Sequence, residues 1–337
     1  MACNCAKRVW AGEGRVLVSE LRDSTLFFAC KDWNELRIAL EEDGYLFIRG
    51  VIPRHFVLKA RKSVLYALHE VRPECFEEGS LPYTAKAADG AGSIGLLGMQ
   101  QVAAMPNVRR VLESGRLFEL MANLFQDPEV VTSDFKWLRA VAPGEFTGVH
   151  TDRVFLGKGS SRLLTAWIPL GDCPVEEGSM MVVPGSHRME EFSALRSSYG
   201  NSEVGQDGTR SGWLTDDGSK LGELLGPSTG SGAREAVQWH TSDFKAGDMV
   251  VLSIDTLHMS AANRSGNIRI SCDTRWLPAS EPRDPRLAAW NSRREKRPSE
   301  KGAKRPRDHS PTAADGVSRH CPLGRTPSRQ RRSAPAR

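Results

Sequence analysis

The sequence predicts a mainly β protein with flanking helices: an antiparallel barrel or sandwich preceded by an N-terminal helical region. Two observations carry this. From about residue 135 onward, short apolar runs stop at turn residues, as in 135–141 before Pro143-Gly144, 163–170 before Gly171-Asp172 and 180–183 before Pro184-Gly185. Short strands closed by Gly, Pro or Asp fit antiparallel sheets that curl or stack. Ahead of residue 135, apolar residues recur at helical spacing instead.

In chain order, a first helix is expected from about Lys31, where Trp33, Leu36, Ile38, Ala39 and Leu40 form an apolar stripe that ends at Gly44. Tyr45-Leu46-Phe47-Ile48 reads as a buried strand stopped by Gly50 and Pro53. A second helix follows through Phe56, Ala60, Val64, Leu65 and Leu68, and residues 70–95, rich in Pro and Gly, are irregular. A third helix is expected over 108–125. The remaining strands are 135–141, 163–170, 180–183, 249–254 and 268–276. Residues 190–237 interrupt them with repeated glycines and read as a long lid insertion. No internal repeat, GxGxxG nucleotide loop or P-loop occurs.

The formal net charge of +5 for 337 residues adds two unlike parts. Residues 291–337 carry 14 Lys+Arg against 4 Asp+Glu, with six prolines and no Phe, Trp or Tyr, whereas residues 1–290 carry 32 against 37. A segment without apolar material cannot offset the entropy of ordering its backbone. The expected organisation is therefore one domain over 1–290, with the lid insertion at about 190–237, and a disordered basic tail over 291–337. No apolar run approaches the length of a membrane span, and no secretory leader is visible. Seven scattered cysteines fit reduced thiols. The expectation is an intracellular protein, cytoplasmic or nuclear.

The chemistry-bearing pattern is Gly148-Val149-His150-Thr151-Asp152, directly after a predicted strand. In extended backbone, residues i and i+2 share a face, so an imidazole and a carboxylate converge there. A further histidine would complete the 2-His-1-carboxylate face that holds non-haem Fe(II). His258, following the strand-like 249–254, is the best supplier, whereas His187 lies in a Pro-Gly-Ser turn.

With Thr165-Ala166-Trp167-Ile168-Pro169-Leu170, Glu177-Gly178-Ser179, Pro184-Gly185-Ser186-His187-Arg188, Gly247-Asp248, Asn263 and Arg269-Ile270-Ser271 in order, this sequence resembles the phytanoyl-CoA hydroxylase family. The resemblance spans about residues 33–276. It implies a double-stranded β-helix, a jelly-roll of the cupin kind, and an Fe(II)- and 2-oxoglutarate-dependent oxygenase. It implies that His150, Asp152 and His258 ligate iron and that Arg269 binds the distal carboxylate of 2-oxoglutarate, with Ser271 supporting. A guanidinium suits that carboxylate because it offers parallel, charge-assisted hydrogen bonds. Arg275 is the fallback anchor, equally placed to pair with Asp273. Trp167 reads as cavity wall or core, and Lys136 and Arg139 as basic residues of which one approaches the cosubstrate. The implied reaction consumes O2, converts 2-oxoglutarate to succinate and CO2, and hydroxylates a small organic molecule.

Alternatives stay open: an oxygenase acting on nucleic acid or protein, or a catalytically silent binding protein of this fold. Arg293-Arg294-Glu295-Lys296-Arg297 and Lys304-Arg305-Pro306-Arg307 resemble a nuclear-import signal or a nucleic-acid contact in the tail. Substrate identity and oligomeric state are not legible.

Overall fold

The computed structural model describes residues 7–198, 212–224 and 237–285. The chain divides into Met1–Arg293 and Arg294–Arg337. The second unit, and with it the import-like and nucleic-acid-like motifs of the tail, lies outside the described residues. No helix among the described residues is long and apolar enough to cross a membrane.

The first unit begins with a hairpin that the helix-first reading did not anticipate. Strands β1 (Lys7–Ala11) and β2 (Gly14–Glu20) pair antiparallel, Ala11 opposite Gly14. Helices α1 (Thr25–Ala29) and α2 (Trp33–Asp43) follow. The Asp32 side chain accepts the Glu35 N–H at 3.2 Å and so satisfies one free donor of the α2 N-terminus. Gly44 ends α2 in the left-handed region, φ +76°, as a glycine C-cap does. Strand β3 (Tyr45–Ile48) and helix α3 (Arg54–Val71) occupy the predicted positions. After the irregular stretch come α4 (Gln100–Ala103), α5 (Pro106–Leu112) and α6 (Gly115–Phe125). The single helix expected over 108–125 is thus broken at Glu113 and Ser114, where Ser114 adopts extended backbone before Gly115.

The remaining elements are β4 (Val130–Thr132), β5 (Trp137–Val141), α7 (Arg153–Leu156), β6 (Leu164–Pro169), β7 (Met180–Val182), α8 (Ser193–Ser198), β8 (Trp239–Thr241), β9 (Met249–Ser253), β10 (His258–Ser260) and β11 (Arg269–Pro278). They form two sheets. One runs β1-β2-β8-β7-β10; the other runs β3-β9-β6-β11-β4, with β5 also on β11. Among the described strands all pairings are antiparallel except β2 with β8. Two curved, mainly antiparallel sheets facing one another make the double-stranded β-helix core, with the helices flanking it.

Strand alternation assigns the faces. Tyr45, Phe47, Trp167, Val250 and Leu252 of one sheet meet Met180 and Val182 of the other in a buried cluster with Phe244. The alternate residues of the first sheet, Leu46, Ile48, Ala166, Ile168, Val251, Ile270 and Cys272, pack outward against α3, α5 and α6. Met181 and Met259, out of phase with Met180 and His258, join Val9, Val18 and Trp239 on the far side of the second sheet.

Within the stretch expected to be a lid, the described parts hold α8, a 3-10 turn at Gly218–Leu224 and a bridge from Thr215 to Val149. Residues 199–211 and 225–236 lie outside the described set. Cys75, Cys173 and Cys272 are free and buried. Cys30, exposed at the end of α1, is disulfide-bonded, so the expectation of reduced thiols fails there.

Candidate metal centre

The segment bearing His150 is tied to β10 by reciprocal backbone bonds: His150 N–H to His258 O and His258 N–H to His150 O, both 3.0 Å. This brings the imidazoles together, ring centroids 4.2 Å apart and planes tilted at 54°. Asp152 arrives by a different route from the one expected. Its backbone is helical, φ −64° and ψ −15°, at the start of α7, so a turn rather than continued strand carries the carboxylate to the histidines. Donor atoms of His150, Asp152 and His258 lie within 4.8 Å of one another, the only such His/Cys/Asp/Glu group among the described residues. The three are 4%, 0% and 4% exposed.

The proton positions follow from the partners. His150 Nδ1 lies 2.8 Å from Gly148 O and His258 Nδ1 lies 2.8 Å from Thr256 O. A carbonyl only accepts, so each Nδ1 carries a hydrogen, which leaves Nε2 of each ring as the nitrogen a metal would use. Burial, reinforced by His258, lowers the His150 pKa to about 3 and keeps the ring neutral. Burial alone would raise the Asp152 carboxyl, but Arg275, the two histidines and the Thr165 hydroxyl outweigh it and hold the group at about 2. Two imidazoles and one ionised carboxylate form a donor set that fits Fe(II).

Two glycines make the arrangement possible. Gly148 lies so close to the Trp213 indole that a β-carbon there would sit 2.6 Å from the ring. At Gly44 a β-carbon would meet His187 Nδ1 at 2.4 Å and Thr256 Oγ1 at 2.6 Å, while Gly44 O accepts the Thr256 hydroxyl. The end of α2 thereby fixes the turn whose carbonyl orients His258.

Arg269, Ser271, Asp273 and Arg275 follow one another on the inward face of β11. Arg269 is 2% exposed and has no carboxylate partner within salt-bridge distance among the described residues. Its Nη1 donates to Ser271 Oγ, its Nε finds no acceptor, and its guanidinium carbon stands 5.8 Å from the Trp167 ring centroid. Burial pushes its pKa down. A buried cation of this kind requires an anion. Trp167 lies in the inter-sheet core and flanks Arg269 as well, edge-on to Phe244.

Arg139, opposite Ser271 on β5, pairs with Asp273 at 3.2 Å and is partly exposed. Lys136 precedes the strand and points elsewhere: Nζ contacts Glu113 at 3.1 Å and Ser133 O at 2.5 Å, and burial lowers its pKa. Of the two basic residues, Arg139 therefore shares the face of Arg269, while Lys136 is committed to α5. Arg275 is not free to anchor a cosubstrate: Nη2 binds Asp152 Oδ1 at 3.0 Å, with Asp273 farther off at 3.8 Å. His187 bonds Glu41 O, and Asn263 holds its own turn by accepting Ser265 N–H. Arg153 and Arg162 are paired with Asp255 and Glu281. Motif reading missed Thr165 as a partner of the ligand set: its hydroxyl donates to Asp152 Oδ2 at 2.5 Å.

Facing sheets with two histidines and a carboxylate turned inward define a non-haem metal oxygenase. The chain belongs to the phytanoyl-CoA dioxygenase (PhyH) family, whose model matches residues 40–271. It is an Fe(II)- and 2-oxoglutarate-dependent enzyme. No curated protein matches it. Among solved structures it is similar to the epimerase SnoN in complex with Fe3+, alpha ketoglutarate and nogalamycin RO, at 21% identity and TM-score 0.47, over 85% of this chain and 97% of that one. It is also similar to AviO1 from Streptomyces viridochromogenes Tue57, at 16% identity and TM-score 0.49, over 75% and 98% of the two chains.

Proposed function

We propose that the enzyme hydroxylates a small organic molecule, with His150, Asp152 and His258 as iron ligands and Arg269 as the anchor for 2-oxoglutarate. When bound, iron and 2-oxoglutarate supply the oxidising power of the reaction, with succinate and CO2 as co-products.

The carrying observation is Arg269, a buried guanidinium with an unmatched donor on the interior face that also receives the triad. A dicarboxylate anchored there neutralises the cation with short charge-assisted bonds. Ser271, by binding Nη1, fixes the plane in which the guanidinium meets it. Arg139 adds a second positive charge on that side, tempered by Asp273. Asp152 retains a carboxylate at the third ligand position, which favours hydroxylation over halide transfer. The ligands are almost fully enclosed, so the reacting C–H must be carried on a molecule slender enough to enter, and water is excluded from unproductive oxidation. Residues 1–290 are proposed as one domain, with 190–237 as the lid that sets selectivity.

Two measurements test this reading. Anaerobic Fe(II) with 2-oxoglutarate should give a visible metal-to-ligand charge-transfer band, and a substrate screen by mass spectrometry should find a product heavier by one oxygen atom, coupled to succinate. His150→Ala or Asp152→Ala should abolish the coupled signal. Arg269→Ala should weaken 2-oxoglutarate by about a hundredfold or more, the size of lost charge-assisted bonds, while leaving metal affinity in place. A coupled signal that survives loss of His150 would refute the ligand assignment.

A further inference from the structure

Arg275 stands directly opposite Thr165 where β11 pairs with β6. The two side chains take one oxygen each of the same carboxylate: Arg275 Nη2 reaches Asp152 Oδ1 at 3.0 Å, and Thr165 Oγ1 donates to Oδ2 at 2.5 Å. Arg275 is buried, its guanidinium carbon lies 4.5 Å from the Trp137 ring centroid, and its Nε and Nη1 have no hydrogen-bond partner. An arginine kept for packing would be expected to use more of its donors. This one spends a single nitrogen on the metal-ligand carboxylate and lies against an aromatic face. The family match ends at residue 271, so Arg275 belongs to the stretch beyond it.

We propose that Arg275, with Thr165 as its cross-strand partner, is a positioning residue that clamps the Asp152 carboxylate in the orientation the metal requires. This rests on the iron-ligand role proposed for Asp152. The physical need is plain. Asp152 sits at a strand-to-helix turn, and its carboxylate can rotate about χ2 unless both oxygens are held. Two donors from adjacent strands fix that torsion from one side, leaving lone pairs on the other side for the ion. The register of β6 on β11 is what brings the donors together. A slip of one residue would put the two donors on opposite faces.

The test is metal affinity of the full chain, titrated anaerobically with Fe(II) against a chromophoric chelator, in the parent protein, Arg275→Met, Arg275→Lys and Thr165→Val. Arg275→Met should weaken Fe(II) by about 10–100-fold, the usual cost of losing a partner that orients a ligand. Lysine, which keeps charge without the planar fork, should restore part of it. Thr165→Val should weaken Fe(II) less, and combining it with Arg275→Met should cost less than the sum, because both act through one carboxylate. At saturating Fe(II), 2-oxoglutarate affinity should stay at the parent value. Should Arg275→Met fail to fold, Arg275→Lys and Thr165→Val carry the same expectation at smaller size. Fe(II) affinity unchanged across the variants, or a loss confined to 2-oxoglutarate, overturns the clamp and makes Arg275 a spectator or a second anchor. Failure of the parent protein to bind Fe(II) overturns the proposed function as well.

Discussion

At the residue scale, the centre depends on which proton each group refuses. His150 keeps its ring neutral because burial and the neighbouring His258 lower its pKa from 6.5 to about 3. The unfolded chain takes that proton near 6.5, so below this pH the unfolded state binds more protons and stability falls with pH. The loss should run from about 6.5 to about 3. Asp152, held at about 2, contributes stability that is complete above its ordinary 3.8 and is lost as pH drops through about 2, in the same direction. Metal-free protein should therefore show falling thermal midpoints between about pH 7 and about pH 4, and His150→Gln should flatten part of that slope. A parent profile that is flat over this interval would contradict the burial assigned to the ring. The triad itself was legible as His-x-Asp with a later histidine, since ligand chemistry demands those residue types. Thr165 was not, because a threonine inside an apolar strand carries no local mark of the carboxylate it meets across the fold.

At the element scale, the ligand-bearing segment is built by contact with chain far away in sequence. Val149 N–H bonds Thr215 O at 2.8 Å and Leu214 N–H bonds Val149 O at 2.7 Å, so a piece of the supposed lid is stitched to the residue before His150. Trp213 covers Gly148. Gly148→Ala should force these apart, costing about 1–3 kcal/mol as overpacking does and loosening the carbonyl that orients His150. Chemical denaturation and Fe(II) titration would both register it. Trp213→Ala in the same chain should relieve much of the penalty, and purely additive losses would show that the indole is not the obstacle. The strands around the site were readable because turn residues bracket them. The β1–β2 hairpin was not, although Val9 and Ala11 are buried in alternation with exposed Arg8 and Trp10, because its third neighbour is β8, more than two hundred residues later. The break at Ser114-Gly115 was readable in principle as a capping residue before glycine, but the apolar stripe runs through it.

For the whole molecule, charge separates from chemistry. Every residue of the candidate site lies within Met1–Arg293, and the basic excess lies beyond residue 290. Deleting residues 294–337 should leave Fe(II) and 2-oxoglutarate affinities unchanged. A fall in either would assign the tail a part in the centre. The overall pI of about 8.9 consequently says nothing about the interior that holds His150, Asp152, His258 and Arg269.

The edges of the family match also bear on how the enzyme can be cut down. A chain trimmed to residues 40–271 would lose β1 and β2, and so bare one edge of β8 at Trp239–Thr241, an open sheet edge that invites edge-to-edge aggregation. The same trim would sever β11 after Ser271, removing Asp273 and Arg275 along with the strand that carries them. What survives would still spell out His150, Asp152, His258 and Arg269, yet it would be prone to precipitate and would hold the Asp152 carboxylate by the Thr165 hydroxyl without Arg275. The minimal functional piece of this protein is therefore longer than its recognisable one.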